Sequence, residues 1–209
     1  VNADQGADPD QVLVNVDVEE QPTGSLSFGL SYSVASGVGF NIGFSESNFL
    51  GRGQKLALSI STASANQNSS FSFTEPALLG RDLSFNVGGF YRTSESDYSV
   101  YDTRSIGFST GIGFPLGEQS SMSLRFGLAE DKIYNYTPSS GTGSPILVAE
   151  ADRGALTTFS LGYAYEYDNR ITGLNPKGGV LLRFGQDFAG LGGDTEYIKT
   201  TALALAETK

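Results

Sequence analysis

Between Ser25 and Tyr32 large apolar and small polar residues alternate without a break: Leu26, Phe28, Leu30 and Tyr32 fall on one face, Ser25, Ser27, Gly29 and Ser31 on the other. A period of two is the mark of a β-strand whose two faces meet different surroundings. The next segment repeats it, with Val38, Phe40, Ile42 and Phe44 set against Gly39, Asn41, Gly43 and Ser45. The pattern continues through Leu56, Leu58 and Ile60; Phe71 and Phe73; Leu83, Phe85 and Val87; Ile106, Phe108, Ile112 and Phe114; and Met122, Leu124, Phe126 and Leu128. It ends with Phe159, Leu161, Tyr163, Tyr165 and Tyr167, then Val180, Leu182 and Phe184. Nine strands follow from this reading, with a tenth over 195–205.

The make-up of the two faces narrows the fold class. A soluble sandwich turns Lys, Glu, Thr and Arg toward water opposite its apolar face. Here the second face is mostly Gly, Ser, Asn and Ala, as in a transmembrane barrel whose large side chains meet lipid and whose small ones line a wet lumen. The expected fold is therefore all-β, an antiparallel up-and-down transmembrane β-barrel. A soluble Gly-rich sheet remains as the alternative. The connections at 46–54, 75–82, 115–120 and 168–177 are compact and rich in turn residues, so they belong on one side of the barrel. The intervening 94–102 and 132–154 are longer and polar, and 132–154 is expected to be a poorly periodic surface loop. Tyr91, Tyr98, Tyr101, Tyr134 and Tyr136 lie near those edges, where an aromatic girdle would sit.

Composition agrees and removes most chemistry. Gly accounts for 27 of 209 residues and Ser for 26, yet 14 Phe and 10 Tyr argue against disorder. There is no Cys and no His, which removes disulfides, thiolate catalysis, histidine triads and the usual zinc sites. A net charge of −10 would repel a phosphate backbone, so no nucleic acid partner is expected. No apolar run approaches the length of a membrane-spanning helix. With no initiator Met and no basic-then-apolar leader, the chain reads as mature or as a piece of a longer one.

Candidate chemistry is sparse. Glu166 with Asp168, or Asp8 with Asp10, could be acid/base or cation pairs, but solvated turns account for them. Residues 1–20 hold six acids (Asp4, Asp8, Asp10, Asp17, Glu19 and Glu20) and no Lys or Arg, which suits a water-exposed segment. Gly111-Ile-Gly113 and Gly190-Leu-Gly-Gly193 open no helix and are not nucleotide loops. Lys55, Arg92, Arg125 and Arg183 fall on the small-residue face, too few to define a transport filter. No catalytic residue, cofactor or metal is expected, and the chain does not read as an enzyme.

One internal repeat stands out. Phe44-Ser-Glu-Ser-Asn-Phe-Leu-Gly-Arg52 and Phe73-Thr-Glu-Pro-Ala-Leu-Leu-Gly-Arg81 match at an offset of 29 residues, each at the end of a down-going strand. That offset is about two strands with their connections, so the repeated unit is a hairpin. Gly51 and Gly80 would take positive φ, and Arg52 and Arg81 could pair with Glu46 and Glu75.

These segments, together with Tyr167-Asp-Asn-Arg170, Leu174-Asn-Pro-Lys-Gly178 and Gly190-Leu-Gly-Gly-Asp-Thr-Glu-Tyr-Ile-Lys199, resemble the BamA family of outer-membrane assembly factors, over residues 12 to 199. The resemblance implies periplasmic POTRA domains followed by a barrel of about 16 strands. In that frame residues 1–22 are the C-terminal end of a POTRA domain and 23–209 the N-terminal part of the barrel. Val12-Leu-Val-Asn-Val-Asp-Val-Glu-Glu20 resembles the last POTRA strand and Pro22-Thr-Gly24 the hinge. Two departures go with it: the family's Val-Arg-Gly-Phe motif is absent, and the chain stops at Thr208-Lys209 without a closing terminal aromatic, so about ten of the 16 strands are expected here.

The resemblance also implies an activity: insertion of unfolded outer-membrane proteins into the bilayer, with accessory lipoproteins as partners, the N-terminus in the periplasm and no ATP. The physical account rests on the first strand. An edge with unpaired N–H and C=O groups can template an incoming strand, which makes Gly24, Ser25, Leu26, Ser27, Phe28, Gly29, Leu30, Ser31 and Tyr32 the candidate client-binding residues. Glu46, Gly51, Arg52, Glu75, Gly80 and Arg81 are candidate periplasmic turn residues. A passive transport or secretion barrel of the same superfamily is the alternative, and a soluble adhesin a third reading.

Overall fold

The structure is a computed structural model that describes residues 2–5, 12–15, 18–34, 37–95, 99–137, 144–171 and 178–208. At the N-terminus, β1 (Asn2–Gln5) and β2 (Val12–Asn15) pair as a two-stranded antiparallel sheet. The remaining strands form one ten-stranded sheet: β3 (Gly24–Ser33), β4 (Gly37–Phe49), β5 (Gln54–Ala63), β6 (Asn66–Glu75), β7 (Ser84–Ser94), β8 (Asp102–Gly117), β9 (Ser120–Tyr134), β10 (Ala155–Asp168), β11 (Gly179–Gly193) and β12 (Tyr197–Glu207). Each is antiparallel to its sequence neighbours and to nothing else, with no crossover. The sheet is not closed: β3 is one margin and β12 the other.

Register keeps the two faces apart from strand to strand. Leu26 lies opposite Phe44, Phe28 opposite Ile42 and Leu30 opposite Phe40. Ile42 then meets Ile60 and Phe44 meets Leu58, while Ser27 sits opposite Gly43 and Gly43 opposite Ser59. Further along, Phe126 is flanked by Thr110 and Leu161, and Gly127 by Ser109 and Ser160. A slip of one residue in any pair would turn a whole apolar set to the wrong side, so the alternation itself fixes the register.

The apolar face is bare. Phe28 is 72% exposed, Leu30 87% and Phe108 44%, and among the described residues Leu181, on the small-residue side, is the one large apolar side chain that is buried. A sheet folding in water would cover such a face with a second layer. An apolar face this large and this continuous needs a non-aqueous neighbour.

Three expectations are corrected here. The long connection is not wholly irregular: β9 runs on to Tyr134, and Pro145–Arg153 forms a helix, α1, with Pro at its first turn and Gly154 closing it at φ 77°. Its first turn is the apolar run Ile146 to Ala149, too short for strand alternation to catch. The tenth strand spans 197–207 rather than 195–205, and its faces are inverted relative to its neighbours. Ala202, Ala204 and Ala206 lie opposite Phe184, Leu182 and Val180, while Leu203 and Leu205 lie opposite Arg183 and Leu181 on the small-residue side. Leu83 falls just before β7 rather than within it.

The connection between β9 and β10 remains the longest link between consecutive strands of the large sheet. External protease on intact cells is expected to cut within 135–154, and cutting only after the outer membrane has been opened would invert the strand directions.

Candidate functional site

All nine candidate client-binding residues lie together on β3, which pairs on one side with β4 over its full length and forms the margin of the sheet on the other. Serines supply side-chain ties to β4. The Ser25 and Ser45 hydroxyls lie 2.8 Å apart, and Ser27 Oγ donates to the Gly43 carbonyl at 3.3 Å. Apart from Gly29, every residue of β3 is exposed. The segment leading into it is pinned more firmly than a free hinge: Ser47 donates both its backbone N–H (3.1 Å) and its Oγ (3.0 Å) to the Thr23 carbonyl.

The two repeated motifs form matching turns. In each, the glutamate accepts the backbone N–H two residues on, Glu46 from Asn48 at 2.8 Å and Glu75 from Ala77 at 3.0 Å. Gly51 and Gly80 take φ 69° and 71° as expected, but the leucines before them, Leu50 and Leu79, are also left-handed at φ 56°. Two successive positive φ values closed by Arg52 N–H to Phe49 O, or Arg81 N–H to Leu78 O, make the mirror-image turn that suits strand twist. For a leucine that conformation costs about 1–2 kcal/mol. The expected ion pairs of Arg52 with Glu46 and of Arg81 with Glu75 are not formed; the Thr23 side chain and Asn48 N–H hold Glu46, and Gln54 and Ala77 N–H hold Glu75, whose carboxylate Arg52 also favours by its charge. A residue absent from the sequence reading joins the two turns. Gln54, the one buried polar side chain among the described residues, donates Nε2 to Glu75 at 2.5 Å. Only the register of β5 on β6 could have revealed it.

The acidic pairs have other partners. Glu166 accepts from Arg183 Nε at 2.6 Å. Asp168 takes a two-pronged contact from Arg170 Nε and Nη2, both at 2.9 Å, and Arg170 Nη1 reaches Glu207 at 3.0 Å. These contacts raise the Arg170 pKa above its ordinary value, chiefly through the Asp168 hydrogen bonds. Glu166 and Asp168 are thus ion-pair members, one on the wall and one at its rim, rather than an acid/base couple; Asp8 and Asp10 lie outside the described residues.

Lys55, Arg92, Arg125 and Arg183 all sit on the small-residue face, as their strand positions require. Arg92 stacks over Phe90 at 4.5 Å and donates to Asn68 at 3.3 Å. Arg125 on β9 reaches Asp187 on β11 at 2.8 Å, across the whole width of β10. Gly162 makes that span possible, since it lies opposite both residues and a Cβ there would overlap the Asp187 carboxylate.

Residues 48–207 match the family model described as the Omp85 superfamily domain. The chain belongs to the Omp85 superfamily. It is 28% identical over 202 residues to the outer membrane protein assembly factor BamA of Neorickettsia risticii, covering 92% of this chain and 26% of that protein. It is also 24% identical over 159 residues to a sorting and assembly machinery component 50 homolog of Xenopus tropicalis, covering 76% of this chain and 33% of that one. The crystal structure of BamA from Haemophilus ducreyi lacking POTRA domains 1–3 matches with a TM-score of 0.59 at 25% identity, over 87% of this chain and 37% of that chain. The chain thus spans about a quarter of the length of the first of these relatives. Membership in the Omp85 superfamily selects the barrel over a soluble adhesin sheet, with the large apolar face outward and the small-residue face toward the lumen.

Proposed function

We propose that this Omp85 chain is the N-terminal part of the barrel of an outer-membrane assembly factor. In this reading residues 1–22 end a periplasmic POTRA domain, 23–209 begin the barrel, and the N-terminus lies in the periplasm of a bacterium. The protein accepts unfolded outer-membrane proteins, works with accessory lipoproteins and the lipid bilayer, and uses no covalent chemistry. Its relatives in both bacteria and animals carry assembly in their names, which supports the reading across a wide span of sequence.

The observation that supports the mechanism is the make-up of β3, the first strand of the large sheet: its register on β4 sets Ser25, Ser27, Gly29 and Ser31 on one face and Leu26, Phe28, Leu30 and Tyr32 on the other, and in a complete barrel its second edge would meet the closing strand. Unpaired backbone groups in hydrocarbon cost several kcal/mol each, so a client strand entering the bilayer gains by pairing with that edge before it can pair with itself. Serines at 25, 27 and 31 and Gly29 leave the lumen side of β3 free to tilt, while Leu26, Phe28, Leu30 and Tyr32 stay against lipid. Catalysis is then a lowered barrier to strand pairing.

Photo-crosslinkers at Ser25, Ser27 and Ser31 in the full-length protein are expected to trap the final strand of a stalled client at every second residue. Gly29 is a poor site, because any Cβ there displaces the Asn41 side chain. Crosslinks concentrated instead around Val180 to Phe184 would reject templating at β3. So would normal assembly when a disulfide ties β3 to the closing strand.

A further inference from the structure

The outer face of the barrel wall carries a break at the end nearest the long connection. Below it, the face is mostly apolar: Ile106 and Phe108 on β8 and Leu128 on β9 line a shallow groove of about 380 Å³ that continues to Thr157 on β10 and has Glu130 at its edge. Small residues interrupt the large ones here: Gly89 stands between Phe71 and Phe108 in one row across the sheet, and Thr157 lies opposite Glu130, one row from the pair Phe159 and Leu128. Ile106 and Phe108 are 46% and 44% exposed, so its floor is open to whatever surrounds the wall.

Directly above the groove two cations face each other. Arg104 and Lys132 are cross-strand partners on the outer face of β8 and β9, an arrangement that is unfavourable for like charges unless something negative lies between them. Glu130 supplies one carboxylate, and it is taken by Arg104 at 2.8 Å. Lys132 Nζ sits 5.9 Å from the ring centre of Tyr134 and joins no ion pair among the described residues. The other acids at this rim are engaged by neutral donors, Glu95 by the Tyr134 hydroxyl at 2.6 Å and Asp102 by the Asn135 amide at 2.8 Å. The rim is therefore mixed in charge, with one lysine left over, one residue pair beyond the Glu130 edge of the slot.

We propose that this groove and Lys132 together hold one phosphate-bearing acyl lipid of the adjacent leaflet, with a chain along Ile106, Phe108 and Leu128 and the phosphate at Lys132. The fit is chemical at both ends. The slot offers apolar walls at the depth of acyl chains, and an amphipathic lysine stem can lie along them while its ammonium meets a headgroup oxygen. Tyr91, opposite Ile106, and Tyr134 bracket the site at the level where aromatic residues settle in an interface. Arg104 stays committed to Glu130.

The proposal rests on the outward assignment of the apolar face, and the test separates the two. Full-length protein in a neutral detergent is mixed with dimyristoyl phosphatidylglycerol or with its phosphatidylcholine counterpart, and retained lipid is counted by native mass spectrometry. One phosphatidylglycerol is expected to persist after wash-out, preferred over phosphatidylcholine. Lys132→Gln should weaken its retention about fivefold, the weight of one basic side chain at an anionic lipid surface, and Lys132→Arg should restore it. Thr157→Phe fills the groove without touching a charge and should also expel the lipid. Lys199→Gln, on the lumen side, should change nothing. Equal retention by all variants would overturn the site while leaving the outward face intact, and absence of any retained lipid would count against both. Displacement by inorganic phosphate alone would show a headgroup site with no acyl slot and overturn the proposal as well.

Discussion

Replacing Phe126 by Arg in the full-length protein is expected to lower the stability of the folded barrel by about 2–4 kcal/mol, read as the urea midpoint for folding into liposomes. Phe126 stands in the middle third of β9, on the outer face, beside Thr110 and Leu161 and over a shallow hollow shared with Phe85, Ile112 and Leu124. A guanidinium there has no water and no acid in reach at mid-depth, and the flanking apolar residues offer it no partner. An Arg at Gly127, one residue along, enters the wet lumen beside Ser109 and Ser160 instead. Its effect should come from crowding and should not change with bilayer thickness. If Phe126→Arg leaves the midpoint where it was, the outer face has been assigned to the wrong side.

A second large effect is expected at Gly162. Its Cα lies between the Arg125 and Asp187 positions, and an added methyl would overlap the Asp187 carboxylate and press on the Gln186 carbonyl at 2.9 Å. Gly162→Ala should destabilise the barrel by about 1–3 kcal/mol, because backbone as well as a side chain must move. Arg125→Met, which removes the ion pair and leaves the glycine, should cost only about 0–1 kcal/mol, since both partners are partly exposed and the lumen is wet. The ordering is the test: heat-modifiability on gels that ranks Arg125→Met as the more damaging change would show that the pair, rather than the space over Gly162, holds these three strands.

The contrast between these two sites also shows what could be read from the chain alone. Phe126 was placed by alternation, which depends only on residues two apart, and the same reasoning located β3, β4 and most of the other strands and the compact turns between them. Gly162 could not be valued that way. Its importance comes from Arg125 and Asp187, 37 residues behind it and 25 ahead, and becomes visible only when three strands are set side by side in register. The same holds for Gln54 and Glu75. The helix α1 escaped because one apolar turn of four residues carries neither a strand nor a helix period, and the inverted faces of β12 escaped because Ala and Leu alternate as plausibly either way. The repeated turn was legible in its glycines but not in its strain: nothing in the letters announces that Leu50 and Leu79 would be left-handed. The arginine pairing was misjudged for a related reason, as nearness in sequence did not reveal that the carboxylates turn back onto their own backbone. For the proposed client-binding strand, alternation alone locates Gly24 to Tyr32, and the topology adds that they pair with β4 over their full length.

The strictly sequential pairing of β3 through β12 has a consequence for how such a wall can be built. Every strand pairing in it joins segments that are consecutive in the chain, so the loop that must close before each pairing stays short however long the wall grows. Growth can proceed one strand at a time from either margin, and a chain arrested at any point presents the same kind of free rim as a chain arrested at another. Damage is correspondingly confined: two substitutions several strands apart share no partner, so their energies should simply add. A wall of this kind behaves as a row of links, each strand held mainly by its two neighbours in the chain.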